Sequence, residues 1–191
     1  MLAYAFWHRP RDGVGAGEYV AALSAFHERV GVPSWFNALE RPPWGEHAGW
    51  YEDWYLVEGW AGLGRLNEMA VSGARRSPHD AAAAMAGEGI AGVYALRTGR
   101  PDRPAWAGWL AKPPDLAYDA FVPELRAAAG PDASVWQRQM TLGPTPEFAV
   151  LAPGPVILPW PTVETGPGGS AGPARTGTPR RRRSARSRPT G

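Results

Sequence analysis

The chemistry-bearing side chains of this 191-residue chain are few and concentrated. The densest group is Trp50-Tyr51-Glu52-Asp53-Trp54-Tyr55, followed by Glu58. Strand alternation puts Tyr51, Asp53 and Tyr55 on one face and Trp50, Glu52, Trp54 and Glu58 on the other. Whichever face turns inward must take carboxylates beside large aromatics. That suits a pocket for a flat, apolar molecule with a carboxylate or phenol as acid or base. It also suits a rim-exposed edge strand or a subunit interface, where Trp and Tyr are enriched. His8 closes a second aromatic run, Tyr4-Ala-Phe-Trp7-His8-Arg9-Pro10. Histidine is the side chain that ordinarily titrates near neutrality, so it could serve there as a base; a surface strand end explains it equally. The expected site takes His8, Asp53 and Tyr55 as its catalytic groups, with Trp7 and Trp54 as ligand-binding walls. Glu52 and Glu58 replace Asp53 and Tyr55 if the opposite face is the inner one. A buried Asp53 beside aromatics is expected to have a raised pKa.

The other candidates have simpler explanations. His79-Asp80 could be an acid/base pair, but Ser77, Pro78 and Asp80 together also read as an ordinary helix start. His27 lies one position off an apolar helical stripe and reads as a boundary residue. His47, in a Gly/Pro loop with Trp44, reads as a lid or as plain surface. No two histidines show metal-ligand spacing on one element, and the chain has no cysteine, so no thiolate site, disulfide or Cys nucleophile is available. Gly13, Gly15 and Gly17 do not make a dinucleotide fingerprint, because Pro10 and Arg11-Asp12 spoil the tight turn. No nucleophile elbow and no phosphate-binding loop signature is present.

Composition bounds the class. Hydrophobic residues are 44% and charged residues 20% of the chain, the balance of a globular body. The net charge of +2 is uneven: residues 161–191 carry seven Arg and one acid, whereas residues 1–160 carry thirteen basic and seventeen acidic residues. The body is therefore mildly acidic and offers no basic groove for nucleic acid. No run of about 18 apolar residues suggests a membrane span. The N-terminus lacks a basic segment before its apolar run, so it does not read as a signal peptide and a cytoplasmic location is expected.

Alternation and turn residues predict a strand over 2–9, a helix over 18–30, strands over 34–41 and 50–58, a helix over 59–72, a helix from Ser77 to about Gly87, and a strand over 92–98. The order then restarts. Trp106-Ala-Gly-Trp-Leu-Ala-Lys112-Pro113 matches Tyr4 to Pro10 in type. A helix over 117–129 matches Tyr118 to Tyr19, with Tyr118, Val122, Leu125 and Ala129 facing inward. Ser134-Val-Trp-Gln137 matches Ser34-Trp-Phe-Asn37, and Glu147 to Gly154 matches Glu52 to Gly59. Strand, helix, strand, strand thus occurs twice, in halves of about 2–99 and 104–158. Trp7 or Phe6 is expected to stack into the core near Trp109.

Two βαββ units in one chain resemble the dimeric α/β-barrel superfamily in tandem, pseudo-dimeric form. The resemblance rests on element order over residues 2–158. The second half departs from it, with no clear helix after Gly154. The superfamily includes cofactor-free monooxygenases, EthD-like proteins and haem-binding chlorite dismutase-like and dye-decolourising peroxidase-like families. The resemblance implies an α+β fold of two ferredoxin-like units and a ligand between sheet and helices or inside the barrel. It is consistent with no cofactor and leaves haem open. The functional expectation is a protein that binds a small apolar molecule, as a monooxygenase- or isomerase-like enzyme or as a non-catalytic ligand-binding or interaction domain. A homo-oligomer is compatible with that reading. Residues 161–191, poor in apolar side chains and rich in Arg, are expected to form a disordered tail capable of weak, non-specific nucleic-acid contact.

Overall fold

A computed structural model describes residues 1–42, 44–140 and 143–166. The expected Arg-rich tail from residue 167 lies outside the described residues. Four α-helices and eight strands alternate along the chain. In the first half, β1 (Leu2–Pro10), α1 (Ala16–His27), β2 (Ser34–Leu39) and β3 (Trp50–Val57) lead to α2 (Gly59–Ala70). A short 3-10 turn (Gly73–Arg75), α3 (Arg76–Met85) and β4 (Ala86–Thr98) complete it. The second half is β5 (Trp106–Leu110), α4 (Tyr118–Ala129), β6 (Ser134–Gln139), β7 (Phe148–Ala152) and β8 (Val163–Thr165). All paired strands are antiparallel, and the sheet runs β2-β3-β1-β4-β6-β7-β5-β8. Cut between β4 and β6, this order gives the same 2-3-1-4 arrangement twice. The fold is α+β, two ferredoxin-like units in tandem.

The sheet curls so that the inner faces of both halves share one core. Trp7 of β1, Trp54 of β3, Trp109 of β5 and Trp136 of β6 meet there, with ring centroids 5.2 Å apart for Trp7 and Trp109 and 5.4 Å for Trp54 and Trp136. Trp7, not Phe6, is the residue that reaches Trp109. Phe6 points to the opposite face and stacks on His8 at 4.7 Å. The core joins the halves into a barrel that is open between β2 and β8. Arg103, in the linker between β4 and β5, spans toward that seam and donates to the Phe36 carbonyl (2.9 Å) and the Asn37 Oδ1 (3.0 Å) of β2. Gly99 ends β4 at φ +90°, and the Ala133 carbonyl approaches where a side chain would stand. That turn needs glycine on both counts.

The outer sheet faces carry the helices. Tyr19, Leu23 and Phe26 bury the inward stripe of α1. In α4 the buried stripe is Phe121, Leu125 and Ala129, while Tyr118 is half exposed. The expected pairing of Tyr118 with Tyr19 is therefore wrong by almost one turn; Phe121 takes Tyr19's place. The Ser34–Ser134 match also slips by one residue. Ser34 faces α1, whereas Ser134 accepts from Trp136 Nε1 in the barrel core. Because strand side chains alternate, a one-residue error reverses the face. Ser77 does not cap α3, whose N-cap position is Arg75, with no side-chain capping bond. The chain also continues in the fold past residue 160: β8 pairs with β5, and Thr165 Oγ1 accepts from Trp109 Nε1 at 2.9 Å.

Candidate functional site

Two adjacent strands bring the expected catalytic residues together. In the β1–β3 register, Phe6 stands opposite Asp53 and His8 opposite Tyr51, so His8, Asp53 and Tyr55 project from one face. That face is the outer one, under α1, α2 and α3. β3 is flanked by β2 and β1 and buried on both faces, which removes the edge-strand reading.

Asp53 is the hub. Its Oδ1 lies 3.0 Å from His8 Nε2, its Oδ2 lies 3.4 Å from His27 Nε2, and Tyr55 donates to Oδ2 at 2.8 Å. The outer ring nitrogens are also engaged: His8 Nδ1 meets the Tyr19 hydroxyl at 2.6 Å, and His27 Nδ1 meets Ser34 Oγ at 2.8 Å. His8 and Asp53 are each only 1% exposed. Burial alone would push the Asp53 carboxyl up, but the two imidazoles override it and hold the group down at about 2. The expected raised Asp53 is thus corrected: the neighbouring imidazoles hold its carboxyl below the ordinary value and keep it ionised. Burial, reinforced by the Asp53 charge, pushes both the Tyr19 and Tyr55 phenols up, so both stay protonated and act as donors.

A cavity of about 860 Å³ opens above this hub. Its floor is the outer face of β1 and β3, with Tyr4, Phe6, His8, Asp53 and Tyr55. Its walls are Tyr19, Leu23 and Phe26 of α1, Leu63 and Leu66 of α2, and His79 and Ala82 of α3. Trp60, half exposed, and Val71 stand among its outer lining residues. At the floor, His8 Nε2 and Asp53 Oδ1 approach closely, but neither atom has a partner at hydrogen-bond geometry.

Trp7, Trp54 and Glu52 do not line this cavity. They occupy the opposite face of the same strands, where Trp7 and Trp54 each donate an indole N–H to Glu52, both at 2.8 Å. Glu52 is 2% exposed, and burial pushes its carboxyl up to about 7. Glu58 is exposed at the N-cap of α2 and joins neither cluster. His47 pairs with Glu88 at 3.2 Å, outside the cavity.

Sequence reasoning missed Tyr19, His27 and His79 as parts of the site. Tyr19 read as core because a buried phenol counts as apolar in a helical stripe. His27 looked peripheral because it sits one position past Phe26. The turn that follows brings Ser34 back against its ring. His79 lies edge-on to Phe26, with ring centroids 5.6 Å apart, and its Nδ1 meets Asp80 Oδ1 at 3.1 Å.

The second half supplies an internal contrast. By strand register Leu110 corresponds to His8, Val150 to Asp53 and Ala152 to Tyr55, and Phe121 replaces Tyr19. These residues close into an ordinary apolar core under α4.

No group of three or more His, Asp or Glu able to hold a metal occurs among the described residues. Haem fits the cavity poorly. Both ring nitrogens of His8 and His27 have neighbours, which leaves His79 as the one imidazole among the described lining residues that could hold the iron. No Arg or Lys is among the described lining residues to meet the propionates.

No family model matches the chain, and no curated protein matches it. Among solved structures, one match is a crystal structure whose title provisionally assigns it as a chlorite dismutase. It shares 13% identity, covers 80% of each chain and has a TM-score of 0.40. At that level the match adds nothing to the architecture described above or to the function.

Proposed function

We propose that the first half binds a small, apolar molecule between its sheet and helices α1–α3 and that the Asp53 hub performs proton transfer on it without a cofactor. The observation that carries this reading is a buried Asp53–His8 pair on the floor of an otherwise apolar cavity. A structural domain has no need of it, since the second half fills the same rung with Leu110 and Val150.

His8 is the proton acceptor in this reading. An activated C–H of the bound molecule gives its proton to the Tyr19 oxygen, and Tyr19 passes its own proton to His8 Nδ1. The Asp53 carboxylate stabilises the imidazolium that forms. Reversal returns the proton to the same or a neighbouring atom of the ligand, which is the chemistry of an isomerase; a carbanion exposed to oxygen would lead to oxygenation. Tyr55 keeps its proton and holds Asp53 in place. His79, a third exposed on its side chain, is placed where it can exchange protons with water.

Native mass spectrometry of the purified protein tests the binding claim. A non-covalent small molecule should be retained by the wild type and lost from Gly64→Phe. Gly64 lines the cavity, and a Cβ there meets nothing within 4 Å, so the ring has room to block the entrance. Turnover of the identified molecule, abolished in Asp53→Asn, would distinguish an enzyme from a carrier. Identical spectra for wild type and Gly64→Phe would refute the cavity as the binding site.

A further inference from the structure

We infer that the buried end of the cavity selects a neutral ligand bearing a single hydroxyl, oriented with that hydroxyl inward and its apolar body toward Trp60 and Val71. This deepens the proposed binding reading and rests on it.

The argument is a count of donors and acceptors. His8 Nε2 and Asp53 Oδ1 are 3.0 Å apart, almost fully buried, and without partners at hydrogen-bond geometry. Tyr19 and Ser34 occupy the Nδ1 sides of His8 and His27, and Tyr55 occupies Asp53 Oδ2. A ligand that inserts between these two buried atoms meets one N–H donor and one carboxylate acceptor side by side. A hydroxyl complements that pair: its oxygen accepts from Nε2–H while its hydrogen is donated to Oδ1. An ether or ketone satisfies the donor and leaves Oδ1 bare. A carboxylate brings a second negative charge against Asp53. An ammonium needs more acceptors than one oxygen supplies and sets its hydrogens against Nε2–H. Each mismatch leaves a buried polar group unpaired, which is the strongest means a site has of rejecting an analogue.

Charge on the walls points the same way. Asp53 is the sole acidic residue among the described lining residues, and none is Arg or Lys. An anionic ligand therefore has no Arg or Lys counter-ion among the described lining residues. A hydrocarbon body has Tyr4, Phe6, Leu23, Phe26 and Leu63 to lie against.

Isothermal titration with four naphthalene probes reads this directly: 2-naphthol, naphthalene, 2-naphthoate and 2-naphthylmethylammonium. Wild-type protein should bind 2-naphthol about tenfold or more tighter than each of the others, the scale of one or two satisfied hydrogen bonds. The double variant His8→Leu/Asp53→Val copies the rung found in the second half and removes the donor and the acceptor together, so that neither is left facing the cavity without the other. It should bind naphthalene and 2-naphthol alike. Equal binding of 2-naphthol and naphthalene by the wild type would overturn the hydroxyl inference and leave the cavity reading standing. Binding of none of the four would overturn both. Tightest binding by 2-naphthoate would overturn the exclusion of anions. If the double variant does not fold, the wild-type ranking alone decides.

Discussion

At the scale of single residues, two neighbouring carboxylates on β3 behave in opposite ways because they point in opposite directions. Asp53 faces two imidazoles and stays ionised; Glu52 faces two indoles and no cation. The consequence is a pH dependence of stability that can be assigned. The Glu52 pKa is about 7 in the fold against 4.5 as the ordinary value, because burial outweighs the two indole hydrogen bonds and the Asp53 charge adds to it. Between those values the folded chain holds a proton that the unfolded chain has lost, so stability falls as pH rises from about 4.5 to 7. The size is on the order of 3 kcal/mol from the width of the window. Glu52→Gln should flatten this slope in urea titrations at pH 4.5 and 7; an unchanged slope would mean that Glu52 is not its source. Asp53 acts in the other direction. Its pKa of about 2 lies below the ordinary 3.8, so its contribution is complete above about pH 3.8 and is lost as pH falls toward 2. Asp53→Asn, which leaves two imidazoles without their anion, should cost about 2–4 kcal/mol at pH 7 by the same titration.

At the scale of elements, strand residues were more legible than helix residues. Alternation placed Asp53 and Tyr55 on one face of β3 and His8 with Tyr4 and Phe6 on one face of β1, and the register of the two strands then joined those faces. The same rule sets Trp7 and Trp54 on the opposite face, so they could not serve as walls for an Asp53 pocket. Helix faces resisted reading. A stripe is about 100° wide, so Tyr118 and Phe121 are both plausible inward positions until packing chooses. His27 and His79 matter only because α1 and α3 lie over β3, a contact no local pattern encodes. The sign of the Asp53 shift was misread because burial was weighed without the lowering effect of His8, the larger one, and of His27, which the sequence left out of the site. The end of the fold was misplaced as well, because a three-residue strand such as β8 has no periodicity to detect. Truncation tests its role. Ending the chain after Gly166 should change stability by no more than about 0.5 kcal/mol, since the removed segment is nearly free of apolar side chains. Ending it after Pro161 strips Thr165 from Trp109 and exposes the edge of β5. That cut should lower the melting temperature by several degrees; equal melting temperatures for the two would remove β8 from the core.

At the scale of the whole molecule, the two halves share a fold and divide the work. The indole-rich barrel core belongs to both, so Trp109→Ala in the second half should destabilise the chain by about 3–5 kcal/mol as a single cooperative transition. Two separate transitions in calorimetry would show that the shared core does not couple them. The cavity belongs to the first half, whose α2 and α3 have no counterpart between β7 and β8. The four histidines offer a direct view of it: His8 and His27 hold Asp53, His79 stands on the cavity wall, and His47 lies outside with Glu88. The most direct test is to record nitrogen-15 histidine spectra while 2-naphthol is added. A site at the Asp53 hub requires the ring nitrogens of His8 to shift most and those of His47 to stay fixed. A shift confined to His47, or none at saturating probe, would contradict it.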